Sequence, residues 1–505
     1  MRAEGRNILS QAGIYLAARG LPGVVAFLAI PLFSRLLKPA DYGRYALALA
    51  TVNVLNALLF QWLRLSLVRY LPGHREDPAK VKSTLATAGA YTLLAAGALA
   101  AAACLLPVAH GWRAFVALCW VALAIQATFE LCCEYARGSL DPWHYMRLQL
   151  ARAIAFVALG VMFVKMGAGW WGPLAGAAVG MTIAVAFAWR RDWTGTKLVI
   201  DRALLLRLCQ YGVPLSLTVA LTVVISTSDR YVIAWFLGED SAGLYSVAVD
   251  FTTQTLTLLM MVIHMAMFPL AVRDWELGGP DAARVRMGSN ATLLLAVGMP
   301  CVVGLAVLAP GIAYAFLGEG FRAAATHVMP LVALGTFLAC MKAFHFDAAF
   351  QFAHRTISQV WIVLFAAALN ISLNVVAVPR WGINGAAGAS VVAFLAAIAL
   401  TIAIGRRHVA LPVPAGPAAA VLLAAGAMGL LLYPLRDYLS PVALAGQVAG
   451  GAMAYGIVLF ACNFMGARTH LTARITRERP AAPADSRRAV GQAVAHLAPV
   501  VSEVG

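Results

Sequence analysis

An all-α, polytopic membrane fold with about 14 transmembrane helices is what this sequence predicts, and three observations predict it. The 505 residues are 62% hydrophobic and only 12% charged, roughly half the charged fraction of a soluble domain. The mean hydropathy is +0.80. The apolar residues fall in long blocks, not in the short alternating runs of a β-barrel, and many blocks reach the ~20 residues with which a helix crosses hydrocarbon while pairing its own backbone groups. Such a chain leaves no room for a water-soluble catalytic domain.

Taken in order, the spans are predicted at about 8–34, 43–70, 84–107, 112–136, 147–166, 170–189, 206–237, 243–270, 290–317, 323–352, 357–378, 383–404, 417–434 and 441–465. The first reads as a retained helix, because no small-residue cleavage site accompanies it. Residues after about 466 read as a basic, Pro/Ala-rich, disordered tail. Cations set the orientation. Arg75, Lys80, Lys82, Arg190, Arg191, Arg284, Arg286, Arg406 and Arg407 crowd one set of loops, while Arg35, Lys38, Arg44, Arg113 and Arg322 are sparse on the other. Both termini are therefore expected on the cytoplasmic side of a bacterial inner membrane. Basic loops at a bilayer surface also account for the formal charge of +16; no basic stripe interleaved with aromatics points to nucleic acid. The eight cysteines, among them Cys104, Cys119, Cys132, Cys133 and Cys340, sit in apolar segments without ligand spacing and read as packing residues.

The chain repeats itself. Leu37, Gly43, Tyr45 and Ala48 recur as Leu237, Gly243, Tyr245 and Ala248, an offset of 200, and Trp171-Gly172-Pro173 recurs as Trp381-Gly382-Ile383, an offset of 210. The first span then corresponds to the seventh and the sixth to the twelfth. Two six-helix bundles in parallel orientation are expected around a central cavity, at 1–200 and 201–410, followed by two extra helices (411–466) and the tail (467–505). Parallel repeats of this kind rock against each other about a midplane site, which is transporter architecture.

Ionisable groups inside a span are costly and mark cavities or pairs. Arg19 lies about 16 Å into its span, and Asn7, Gln11, Tyr15 and Arg19 repeat every four residues on one helical face. Arg64 extends a similar stripe with Asn53 and Asn56. Neither arginine has a carboxylate three or four residues away, so both suggest an anionic ligand. The seventh span carries Thr218, Thr222 and Ser226 ahead of Asp229 and Arg230, which could pair with each other near the outer interface. The eighth carries Asp250, Gln254, Thr257 and His264, and the tenth Lys342, His345, Asp347 and Gln351. Arg69 and Arg152 read as interfacial cations that snorkel to headgroups, and Glu130 and Glu134 as partners of Arg137. No catalytic carboxylate pair, metal-ligand spacing or nucleophile elbow is present, nor a Gly-Lys-Ser/Thr phosphate loop. Catalysis, ATP hydrolysis and a cofactor are not expected.

Three stretches carry a family resemblance: Ser34-Arg35-Leu36-Leu37-Lys38-Pro39-Ala40-Asp41-Tyr42-Gly43-Arg44-Tyr45; Asp229-Arg230-Tyr231 with Leu237-Gly238 and Ala242-Gly243-Leu244-Tyr245; and Leu373-Asn374 with Val378-Pro379-Arg380-Trp381-Gly382-Ile383-Asn384-Gly385. The chain resembles the Wzx-type polysaccharide-biosynthesis flippases of the multidrug/oligosaccharidyl-lipid/polysaccharide exporter superfamily. That resemblance implies alternating-access export of an undecaprenyl-diphosphate-linked oligosaccharide, alongside the polymerase and glycosyltransferases of the same pathway. Arg19, Arg64, Arg230 and Lys342 would then hold the diphosphate, and Gln11, Tyr15, Asn53, Asn56 and Gln254 would face the glycan. Asp250, Asp347 or Glu130 would exchange a proton or sodium ion. A cation-coupled multidrug exporter of the MATE type is the alternative within the fold, and a membrane-embedded O-antigen polymerase the alternative outside it; the short outward loops count against the latter.

Overall fold

The computed structural model describes residues 20, 22–74, 78–106, 111–353 and 355–466. Helix α1 (Pro22–Leu36) leads to α2 (Pro39–Leu59), which opens on a proline at its first helical position, where the missing N–H costs nothing. After Phe60 the chain continues as α3 (Gln61–Tyr70), bent by 49° from α2. Helices α4 (Pro78–Cys104), α5 (Trp112–Gly138), α6 (Pro142–Phe163) and α7 (Gly172–Ala188) complete the first part of the bundle. Asp141 starts α6: its carboxylate accepts the His144 N–H at 2.9 Å, satisfying one of the helix's orphan donors.

Helix α8 (Arg202–Val307) has 106 residues, an axial length of about 160 Å if straight, against ~30 Å of hydrocarbon. It is instead folded back at Gly238 (φ 84°) and Gly279 (φ 72°). After α9 (Ala309–Phe316), α10 (Glu319–Met341) and α11 (Ala348–Phe352), α12 (Thr356–Gly405) folds back in the same way at Gly382 (φ 60°). A Cβ at any of these three glycines would meet nothing within 4 Å. The left-handed backbone, not space, is what calls for glycine there. Loops expected over 238–242 and 379–382 are thus one-residue reversals, and the interval 271–289 is helical apart from Gly279. Helices α13 (Ala415–Leu432) and α14 (Pro441–Ala461) finish the described chain.

Among the described residues, eight helices are long and apolar enough to cross a membrane, or nine if α2 and α3 count as one span. That count takes α6 and α7 together as one helix; this pair and α12 each double back once and α8 twice, which with α1 is consistent with fourteen crossings. Large apolar side chains point outward: Leu430 is 79% exposed and Val442 82%, an apolar surface that lipid covers. Inside, helices approach through small residues. A Cβ on Gly176 would stand 2.4 Å from the Gly160 nitrogen, and one on Gly180 2.5 Å from the Ala155 methyl, so α6 and α7 pack backbone to backbone.

One apolar cluster joins the early and late helices, bringing Phe33, Tyr42 and Tyr45 against Tyr245, Phe251 and Phe321. It reaches one end of the bundle, where the repeated motifs meet face to face. A Cβ on Gly43 would be 2.0 Å from the Glu239 carbonyl oxygen, and one on Gly243 1.9 Å from that of Pro39. Arg44 pairs with Glu239 at 2.5 Å on the rim. Beside them the Gly318 N–H donates to Ser34 Oγ at 3.2 Å, and Arg35 donates to the Ala315 carbonyl at 2.5 Å. This end is closed.

Candidate functional site

Below the closed end a cavity of about 950 Å³ lies between α1, α2, α6 and α7 on one side and α8, α10 and α12 on the other. Hydroxyl and amide groups recur around its wall, among them Thr222, Ser226, Thr253, Gln254, Thr336 and Ser390. Its acidic and basic residues are Arg152, Asp229, Arg230, Asp250, Lys342 and Asp347.

Asp229 and Arg230 do not pair with each other, contrary to the sequence reading. Consecutive residues point about 100° apart on a helix, so each finds its own partners deep in the bundle. Arg230, buried, pairs with Asp250 across the fold at Gly238, and the Tyr42 hydroxyl donates to the other oxygen of Asp250 at 3.3 Å. Asp229 is held by neutral donors alone: Asn374 Nδ2 at 2.7 Å, the Tyr245 hydroxyl at 2.8 Å and Ser390 Oγ at 2.8 Å. Asn370 braces this cage by donating to Ser390 Oγ at 3.1 Å and accepting from Ser228 at 3.1 Å. Asn370, Asn374 and Ser390 were not candidates from sequence; Asn374 stood in a resembling motif, but nothing in α12 alone shows that it faces Asp229.

Lys342 and Asp347 are both buried, with Nζ 2.8 and 3.0 Å from the two carboxylate oxygens, and Gln359 donates to Asp347 at 3.0 Å. Residues five apart do not share a face in an α-helix. Here Lys342–Phe346 form a π-helical turn, and the Asp347 N–H donates to the Lys342 carbonyl at 2.9 Å. The wider turn brings residue i+5 under residue i.

Arg64 is placed elsewhere. It pairs with Glu130 on α5 and donates to Gln61. The rest of its stripe is tied to the same helix: Asn56 donates to Glu130 at 2.8 Å, and Gln126 donates to Asn53 at 3.2 Å and to Glu130 at 3.0 Å. None of Asn53, Asn56, Arg64 and Glu130 lines the cavity. Glu130 therefore meets Arg64, while Glu134 takes Arg137 at 2.6 Å. Gln254 does line the cavity and donates to the Gly23 carbonyl at 3.3 Å. His264 is stacked between Phe268 and Phe344, and His345 is buried. Gln11, Tyr15 and Arg19 lie outside the described residues.

Arg152, read from the sequence as an interfacial cation, lines the cavity. Its helix, α6, starts at Pro142. That puts Arg152 ten residues in, about 15 Å along the axis, and its side chain opens into the cavity together with Gln149 and Phe156 on the same helical face.

With this geometry in place, comparison with known proteins is informative. Residues 6–274 match the family described as "Polysaccharide biosynthesis protein". A curated relative, "Probable flippase AglR" of Haloferax volcanii, is 26% identical over 245 residues, which is 46% of this chain. The match spans 50% of that protein's length. Among solved structures, "Lipid II flippase MurJ, inward closed conformation" superposes with a TM-score of 0.73 at 13% identity, covering 89% of this chain and 98% of the other. A MATE structure in complex with MaL6 superposes with a TM-score of 0.54 at 14% identity, covering 78% and 94%. These likenesses describe the fold, which is the one the motifs implied.

Proposed function

Because this chain belongs to the polysaccharide biosynthesis protein family, we propose that it is a flippase for an undecaprenyl-diphosphate-linked oligosaccharide. It would carry the glycan across the bacterial inner membrane by alternating access, with both termini in the cytoplasm and the closed end facing the periplasm. The units 1–200 and 201–410 would rock against each other, and the polyprenyl tail would stay in lipid. The observation that carries this reading is the cavity wall. A membrane-embedded space of about 950 Å³, at the upper end of the range for ligand pockets, sets hydroxyls, amides and six charged side chains among a largely apolar lining, and those charges would be costly if they faced hydrocarbon. Such a mixed wall suits an amphipathic ligand, whose charged and sugar groups would meet the polar side chains while its apolar part meets the rest of the lining.

Arg230 and Lys342 line the cavity and remain candidates for the anionic group, each after release from its carboxylate; Arg19 is carried forward with them. Arg64, held by Glu130, supports the bundle in this reading. Among Asp250, Asp347 and Glu130, each charge is already matched by a cation. We therefore assign ion exchange to Asp229, whose charge only neutral donors face; a proton or a sodium ion would complete it. In proteoliposomes, a fluorescent undecaprenyl-diphosphate-linked oligosaccharide should cross when a proton or sodium gradient or a membrane potential is imposed, without ATP. Transport of organic cations in place of the glycan, or glycan transport that needs ATP and ignores gradients, would overturn the proposal.

A further inference from the structure

We propose that Arg152 is the anion-receiving group of the cavity, taking a phosphate of the lipid-linked substrate in a bidentate fork; this rests on the flippase reading above. Three of the charged side chains on the cavity wall are basic, and two of them are answered from within the wall: Arg230 by Asp250 and Lys342 by both oxygens of Asp347. Arg152 is different. Among the described residues no carboxylate lies within ion-pair distance of it, and its guanidinium lies over the Phe129 ring, 5.8 Å from the centroid.

A guanidinium within a membrane-spanning helix is costly unless an anion or water answers it. Snorkelling would relieve that cost for a side chain directed at the lipid, but this one is directed into the protein's interior space. The guanidinium offers a planar fork of N–H donors that matches two phosphate oxygens, which an ammonium cannot do. Around it the wall is shaped for a group with a charged and a polar part. Gln149 lies one turn before it and is positioned by a hydrogen bond to the Tyr145 hydroxyl at 3.2 Å. Phe33, Tyr45 and Phe156 supply apolar surface beside it. The division of labour follows: the wall built from α6 meets the phosphate first, while the ion pairs on α8 and at the π turn between α10 and α11 stay closed until the substrate competes for Arg230 or Lys342.

The test uses the full-length protein in lipid nanodiscs and two probes, undecaprenyl diphosphate and the uncharged undecaprenol. The wild type should prefer the diphosphate. Arg152→Gln should weaken diphosphate binding roughly 10- to 150-fold, the loss of a charge-assisted hydrogen bond, and leave undecaprenol binding unchanged. Arg152→Lys keeps the charge without the fork and should fall between the two. A purely structural arginine would lower the melting temperature of the ligand-free protein on conversion to Gln; the proposal expects that temperature to hold or rise, because an unanswered charge is removed. A lowered melting temperature, or retention of the diphosphate preference in Arg152→Gln, would overturn the assignment of Arg152 and leave the flippase reading standing. A wild type with no preference for diphosphate over undecaprenol would overturn both.

Discussion

Substituting Gly243 by alanine should open the closed end of the bundle. The added Cβ would sit 1.9 Å from the Pro39 carbonyl oxygen and 2.8 Å from the Gly43 nitrogen, all backbone atoms that no rotamer change can move. A carbon beside a carbonyl oxygen needs about 3.3 Å even in a favourable C–H···O contact, so α2 and α8 must part there by about 1.4 Å. Overpacking of this kind costs about 1–3 kcal/mol. Because the strain exists only while the end is closed, it shifts the closed-to-open equilibrium roughly 5- to 150-fold toward open. Spin labels on Lys38→Cys and Asp240→Cys, both exposed, would read the separation in a cysteine-free background. The long-distance population should grow in Gly243→Ala and in Gly43→Ala, whose Cβ meets the Glu239 oxygen at 2.0 Å. Gly304→Ala, with nothing within 4 Å, should leave it unchanged. An unaltered closed distance with unaltered stability in Gly243→Ala would refute the reasoning.

Arg64→Ala should destabilise the folded protein by about 3 kcal/mol, because it leaves Glu130 without its cation, and adding Glu130→Gln should restore much of the loss. Denaturation midpoints of the single and double variants decide this, and an uncorrected double variant would count against the pair. Asp229→Asn, nearly isosteric, should keep the fold and ligand binding yet remove the dependence of transport on an imposed proton or sodium gradient; retained gradient dependence in proteoliposomes would exclude Asp229 as the coupling group. At the start of α6, burial alone would raise the Asp141 pKa, but the His144 amide and Arg191 outweigh it and hold the carboxyl below its usual range. Its folded pKa being the lower one, its stabilising contribution is present above the unfolded value of about 3.9 and fades as pH falls through the folded value. Asp141→Ala should therefore cost about 1 kcal/mol of stability at neutral pH, and the difference from wild type should vanish in strong acid; a difference that persists there would refute the linkage.

The family was legible in residues close together in the chain, because motifs such as Asp41-Tyr42-Gly43-Arg44-Tyr45 and its echo at Ala242-Gly243-Leu244-Tyr245 are local. Membrane class was legible for a related reason: a span must satisfy its backbone alone, so the requirement is written in each helix's own composition. What the cations do was not legible in that way. Arg64 looked unpaired because its own helix holds no acid, yet α5 brings Glu130 to it from across the bundle. Lys342 and Asp347 failed the helical spacing rule because one π turn changed the spacing. Arg152 read as an interfacial cation because its own helix does not show that it faces a cavity built by other helices. Depth, facing and partnership are relations between helices, and a charge in a membrane takes its meaning from those relations. The sequence by itself determined that this protein spans a bilayer, that it repeats, and to which family it belongs. Only the tertiary structure decided which of the described charges are paired within the bundle and which are not, because electrostatic compensation comes from whatever packing brings within a few ångströms, regardless of position in the chain.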